Sequence, residues 1–131
     1  MGTSGGTESI FLAILSYREC GKKEKGIVKP NVVCFNNAHI AFDKACFYLG
    51  VELRKVALRG IKCDANDLRQ AIDCNTICIV GSCPDYAHGN YNDMEELGKI
   101  AEEYEIGLHS DCCLGGFINP FLEEAGFKTV T

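Results

Sequence analysis

Long apolar runs are missing from this chain, and so is any concentration of positive charge. No uninterrupted apolar stretch approaches the roughly 20 residues that a membrane-spanning helix needs, and no signal-peptide pattern precedes Gly2. The expectation is a soluble piece. Thirteen Lys and Arg stand against eighteen Asp and Glu, a net charge of -5. That balance argues against a nucleic-acid partner, which would require clustered basic side chains. The densest basic run, Lys22-Lys23-Glu24-Lys25, is interrupted by acid and reads as a solvated loop. Paired cysteine spacing is absent too. The nine cysteines are an odd number, C-x-x-C does not occur, and Cys34, Cys46 and Cys78 sit inside apolar runs. Free cysteine behaves there as a small hydrophobe, so the expected compartment is reducing. Neither the G-K-[ST] of a phosphate-binding P-loop nor the G-x-G-x-x-G dinucleotide fingerprint is present. With no internal repeat, low-complexity segment or linker, residues 1–131 read as one domain, 47% hydrophobic and 24% charged.

What is there alternates between two periods. Apolar residues at helical spacing predict a helix from Thr7 to about Glu19, ended by Gly21. Asn31 to Phe35 carries Val32-Val33-Cys34-Phe35, a buried strand. Ala38 to Leu49 reads as a helix stopped at Gly50, and Glu52 to Ala57 as a second strand. Asp64 is a good N-cap for a helix from Ala65 to about Asp73. Thr76 to Gly81 is the clearest strand, followed by Ser82, Cys83 and Pro84. Asp93 caps a helix from Met94 to Tyr104, with Glu96 in the capping-box position. Ile106-Gly107-Leu108 begins a last strand that delivers Asp111 to a glycine-marked turn, and a short helix is expected near Pro120 to Ala125. Four strands separated by helices imply an α/β fold with a mostly parallel sheet, because parallel neighbours need crossover connections.

Two segments carry the chemistry. A carboxylate at a strand's C-terminal end occupies a site position in open α/β sheets, and Asp111 is such a carboxylate. Its functional reading is a partner for a protonated ring nitrogen; otherwise it is a turn or cap residue. Ser4-Gly5-Gly6-Thr7-Glu8 opens the first helix, where backbone N–H groups and the positive end of the helix dipole can hold an anion. Alone, such a segment is more often just a turn. Together the two suggest a ligand with a phosphate at one end and a basic ring nitrogen near the other. His39, just after a strand and two asparagines, is either an ordinary surface or core histidine or an imidazole lying flat on that ring. A metal centre from His109, Asp111, Cys112 and Cys113 is disfavoured, because strand alternation turns neighbours to opposite faces and no second ligand pair has zinc spacing. A cysteine-nucleophile hydrolase built on Cys83, Cys112 or Cys113 with His88 or His109 rests only on pairs that chance would supply.

Four segments then fall into a familiar order: Thr3-Ser4-Gly5-Gly6-Thr7-Glu8-Ser9; Ala38-His39-Ile40-Ala41-Phe42-Asp43-Lys44-Ala45; Val80-Gly81-Ser82-Cys83-Pro84 with His88-Gly89; and Leu108-His109-Ser110-Asp111-Cys112-Cys113-Leu114-Gly115-Gly116-Phe117 with Pro120-Phe121. On these the chain resembles the sphingosine-1-phosphate lyases, members of the pyridoxal-phosphate-dependent group II decarboxylase superfamily with the aspartate aminotransferase-like (type I) fold. The resemblance runs over essentially the whole chain. It implies pyridoxal 5'-phosphate as cofactor, with Gly6 and Thr7 at the phosphate, His39 stacked on the pyridine ring and Asp111 bonded to its nitrogen. It also implies Cys113 packed against the ring and Ser82, less surely Cys83, near the phenolic oxygen. Cys112, Cys113 and Ser110 depart from the expected residues without removing a charge or a stacking partner.

The activity implied is cleavage of a carbon–carbon bond in phosphorylated long-chain bases of the sphingosine 1-phosphate type, giving a fatty aldehyde and phosphoethanolamine, with Asp111 and His39 as catalytic residues. An amino-acid decarboxylase on the same fold, or a truncated non-catalytic remnant, stands as the alternative. In the family the lysine that holds the cofactor covalently follows a few tens of residues after the aspartate, in a His-Lys pair. Lys128 has no such context. The expectation is therefore a fragment of the cofactor-binding large domain, inactive alone and with weak cofactor affinity. A homodimer and a parent protein at the endoplasmic reticulum membrane with a cytosolic catalytic domain are implied by resemblance alone.

Overall fold

The sheet is built where β-branched and apolar runs coincide, and the helices where the period changes to 3.6. A computed structural model describes residues 2–127. In chain order the elements are α1 (Gly6–Lys25), β1 (Asn31–Phe35), α2 (Ala41–Leu49), β2 (Glu52–Val56), α3 (Ala65–Gln70), β3 (Thr76–Ser82), α4 (Met94–Glu103) and β4 (Gly107–Asp111), followed by a 3-10 turn at Asn119–Phe121. The four strands form one sheet in the order β2-β1-β3-β4, and all three pairings are parallel. β1 and β3 are buried along their whole length, while β2 and β4 are partly exposed.

Alternation along the strands divides the core into two layers. Val32, Cys34, Cys78 and Val80 pack under α1 and α2 with Ile10, Ile14, Phe42 and Ala45. Val33, Phe35 and Ile79 face the other way, against Leu68 of α3 and Leu97 and Ile100 of α4. The chain thus leaves β1 toward one face of the sheet and leaves β3 toward the other. That divergence opens a crevice at the C-terminal ends of β1 and β3, the switch point at which open α/β sheets take ligands.

Several element boundaries differ from the sequence pattern, each for a local reason. α1 does not stop at Gly21 but runs to Lys25 and ends on Gly26, which has φ 66°. Gly21 instead serves close packing: a Cβ there would lie 2.7 Å from Ile77 Cγ2. Helix α2 starts at Ala41 and not Ala38, because the preceding turn is tied by Ala38 N–H to Phe35 O (3.0 Å) and Asn36 N–H to Val56 O (2.9 Å). Helix α3 ends at Gln70 because Asp73 is diverted, its Oδ1 accepting from Asn31 Nδ2 (2.8 Å) and Asn75 N–H (2.8 Å). The helix expected near Pro120 to Ala125 is a single 3-10 turn, Asn119–Phe121, followed by hydrogen-bonded turns. The caps behave as expected: Asp64 accepts from Asn66 N–H and Asp93 from Glu96 N–H, both at 2.9 Å. Among the described residues no helix is long and apolar enough to cross a membrane.

β4 is fixed against α1 by Tyr17, whose hydroxyl donates to Leu108 O at 2.8 Å. The ring lies over Gly107, where a Cβ would come within 2.2 Å of it. Gly107→Ala should therefore force ring or strand to move and cost about 1–3 kcal/mol, read as a lower urea midpoint. Tyr17→Phe keeps the ring and loses one hydrogen bond, so its cost should be about 0.5–1.5 kcal/mol. Two residues on, His109 meets Phe42 and Tyr17 edge-on, with ring centroids 5.6 and 6.5 Å away. Burial holds its imidazole below the usual 6.5, with the Asp111 carboxylate pulling the other way. The unfolded chain then takes up this proton more readily than the folded one. The associated stability is full above about pH 6.5 and is lost as pH falls from there through the lower folded-state value. His109→Gln should flatten the decline in urea midpoint between about pH 8 and pH 5.5; an unchanged slope would remove His109 as its source.

Candidate functional site

β3 and β4 end side by side, with Ser82 paired to Asp111. Alternation gives these two residues the same side as Cys78, Val80 and His109, the side covered by α1 and α2. Just beyond the strand ends lies a cavity of about 310 Å³, within the size range of small-molecule sites. Four segments wall it. α1 contributes Gly6, Thr7 and Ile10; the turn after β1 contributes His39; the exit of β3 contributes Ser82, Pro84 and Tyr86; and the exit of β4 contributes Asp111, Cys113 and Leu114. The six residues that the resemblance assigns to the cofactor, Gly6, Thr7, His39, Ser82, Asp111 and Cys113, all line this one hollow. Cys83, Cys112 and His109 do not.

Asp111 is half-buried, and one of its oxygens, Oδ1, accepts the Cys113 N–H at 3.2 Å. Among the described residues no Lys, Arg or His forms an ion pair with it. A carboxylate facing a cavity without a cation is suited to a ligand that brings a positive charge of its own. At the opposite wall, α1 begins with no side-chain cap on its N-cap residue Gly5. The first N–H groups of a helix have no intrahelical partner, and the dipole adds partial positive charge there. The one acid in that first turn, Glu8, is turned back onto Ser4 N–H (2.5 Å), a hydrogen bond that holds its carboxyl below the usual value. Gly6 sits close to the β4 exit, since a Cβ there would touch Cys113 Sγ at 3.4 Å.

His39 is exposed but oriented: its Nδ1 accepts the Ala41 N–H at 3.1 Å at the entry to α2. An imidazole that accepts at Nδ1 carries its proton, when neutral, on Nε2. Tyr86 meets the ring edge-on, at 5.3 Å and 72°.

The loop bearing Ser82, Pro84 and Tyr86 is held from behind by polar groups that periodicity does not reveal. Asp85, 1% exposed, accepts from Asn37 Nδ2 (2.8 Å), His88 N–H (2.6 Å) and Asn90 N–H (3.3 Å). Asn92 Oδ1 accepts the Ser82 N–H at 2.9 Å, and Asn92 Nδ2 donates to Cys63 Sγ at 3.0 Å. Asn37 belongs to the β1 exit that carries His39, so the Asn37–Asp85 bond couples two walls of the cavity. Sequence reading singled out this loop for Ser82, Cys83, Pro84 and His88-Gly89, and not for Asp85, Tyr86 or Asn92. The signals it passed over were an acid directly after a proline at a strand exit, and the aromatic that follows.

Comparison with known proteins gives the family and the fold. The pyridoxal-dependent decarboxylase conserved domain matches residues 1–130. The sphingosine-1-phosphate lyase of Saccharomyces cerevisiae is 45% identical over 130 residues, which are 98% of this chain and 22% of that protein. A solved sphingosine-1-phosphate lyase of Burkholderia pseudomallei superposes with a TM-score of 0.92 at 37% identity, over 97% of this chain and 29% of that one. A glutamate decarboxylase of Lactobacillus brevis superposes with a TM-score of 0.81 at 26% identity, over 93% of this chain and 31% of that one. The chain thus spans less than a third of the length of each of these relatives. Its parallel sheet flanked by helices is part of the type I fold of pyridoxal-phosphate-dependent enzymes, and the chain belongs to the pyridoxal-dependent decarboxylase family.

Proposed function

We propose that these residues supply the ring- and phosphate-binding walls of a pyridoxal-phosphate enzyme, and that the parent protein is a carbon–carbon lyase acting on phosphorylated long-chain bases. The observation that carries the reading is the cavity itself. A carboxylate without a cation, an oriented imidazole and an uncapped helix N-terminus surround one hollow, in a chain 45% identical to a sphingosine-1-phosphate lyase.

In this reading Gly6 and Thr7 hold the phosphate through backbone N–H groups and the Thr7 hydroxyl. His39 lies against the face of the pyridine ring, Cys113 packs beside it, and Ser82 approaches the phenolic oxygen. Asp111 pairs with the ring nitrogen and keeps its proton in place, because an opposite charge at contact distance favours the charged form. Pyridoxal phosphate, when bound, supplies the electron sink for the pair released as the substrate's bond breaks. Asp111 makes that sink deep by holding the positive charge at the ring. The products are a long-chain aldehyde and phosphoethanolamine.

No lysine lines the cavity among the described residues, and Lys128 lies outside them. The reading therefore assigns the covalent link to a lysine beyond residues 2–127. It further takes the parent to be a homodimer at the endoplasmic reticulum membrane with its catalytic domain on the cytosolic side. A decarboxylase reading is favoured by the superposition on glutamate decarboxylase. Assay of the parent protein on sphingosine 1-phosphate against glutamate and aromatic amino acids separates the two. An in-frame His-Lys pair downstream separates both from a non-catalytic remnant.

In the parent protein Asp111→Asn should abolish turnover while leaving much of the phosphate-end affinity; wild-type turnover in that variant would take Asp111 out of the chemistry. The 131-residue chain should bind pyridoxal phosphate weakly and without a covalent bond. Borohydride treatment followed by peptide mapping checks this, and stoichiometric labelling of a single lysine would contradict it.

A further inference from the structure

The wall of the cavity has a back, and two cysteines meet there. β3 and β4 keep their parallel register to the last pair, Ser82 with Asp111. Cys83 N–H then donates to Asp111 O at 2.9 Å, which in a parallel ladder makes Cys112 the lateral neighbour of Cys83. Adjacent strands lie about 4.8 Å apart, inside the roughly 4.4–6.8 Å range of Cα separations that disulfides span. Alternation turns both side chains away from Ser82 and Asp111, to the face opposite the cavity. The Ser110 hydroxyl shares that face, with Oγ 3.0 Å from Cys112 Sγ.

The partners differ in access. Cys83 is buried and Cys112 is half-buried. Burial, reinforced by the neighbouring Cys112, pushes the Cys83 thiol up to about 11. Reagents in solution therefore reach Cys112 first, and Cys83 is placed to answer it.

We infer that Cys83 and Cys112 are a redox-modification site, forming a reversible disulfide when the chain meets a peroxide. The Cys112 thiolate attacks one peroxide oxygen. The O–O bond breaks, leaving a sulfenic acid on Cys112 and a hydroxide that is protonated to water. The Cys83 sulfur then attacks the Cys112 sulfur, the S–O bond breaks, and the departing hydroxide takes the Cys83 proton as a second water. Two thiols have given up two electrons, and one peroxide has become two waters. The new bond joins the ends of β3 and β4, whose alternate residues Ser82, Pro84, Asp111 and Cys113 line the cavity.

The test treats the reduced full chain with graded hydrogen peroxide, quenches with acid, alkylates under denaturing conditions and maps cysteines by fragmentation mass spectrometry. Cys83 and Cys112 should be lost together, as a linked pair two hydrogens lighter, before the exposed Cys20 and Cys74 lose their thiols. Dithiothreitol should restore both. In Cys112→Ser, Cys83 should stay a thiol under the same exposure, and in Cys83→Ser, Cys112 should advance to sulfinic acid. The assignment is overturned if Cys83 is recovered as a thiol while Cys112 is oxidised to sulfinic acid or linked to Cys113. A first link that joins Cys83 to any other cysteine overturns it equally.

Discussion

The lateral pairing of Ser82 with Asp111 at the end of a parallel ladder is the contact on which the site depends. A parallel sheet sends every strand's C-terminal end to the same edge, so the exits of β1, β3 and β4 are neighbours by construction. Register then decides which side chains face one another there. With Ser82 opposite Asp111, both point under α1 and α2, and the helix N-terminus at Gly6 closes the far wall. Because successive side chains face opposite sides, a slip of one residue would send Asp111 to the face of α3 and α4 and bring Cys112 into the cavity. The hydrophobic pattern forbids that slip, since it would also expose the layer that seals β4 against α1, from the Tyr17–Leu108 hydrogen bond to the packing of His109 on Phe42.

Most of the architecture was legible in the sequence, for reasons that can be traced to particular residues. β1 and β3 are short apolar runs between turn residues, and they fold as strands buried throughout. The caps at Asp64 and Asp93 mark helix starts because a short acidic side chain satisfies an N–H that nothing else would. Gly21 misled because a glycine carries two possible meanings. It ends a helix when φ turns positive, as at Gly26, and it permits close approach when a strand side chain presses on the backbone, as Ile77 does here. Only the partner, 56 positions away in sequence, distinguishes them.

The site was legible to a different depth. His39, Asp111 and the Gly6–Thr7 turn stand at strand exits or a helix start, places where local pattern and function coincide, and they surround a single cavity. Tyr86 and the Asn37–Asp85 bond behind it lie in loops without a period. Their roles come from contacts between segments far apart in the chain: Asn37 and Asp85 are 48 positions apart. Polar groups buried under loops are recruited to satisfy one another, and no spacing rule announces the pairing.

The electrostatics of the cavity follow from one further consequence of alternation. His109 precedes Asp111 by two residues and so shares its face, which makes it the nearest built-in candidate for a compensating charge. Burial against Phe42 and Tyr17 disfavours its protonated form more than the Asp111 carboxylate favours it. The imidazole is therefore held toward its neutral form, and among the described residues no ion pair compensates the carboxylate at the end of β4. A polar residue in place of the aromatic rings would solvate His109, let it take up a proton, and quench that charge from within. Apolar packing two residues below the carboxylate is thus part of what makes the strand end attractive to a cationic ring, although neither aromatic reaches the cavity.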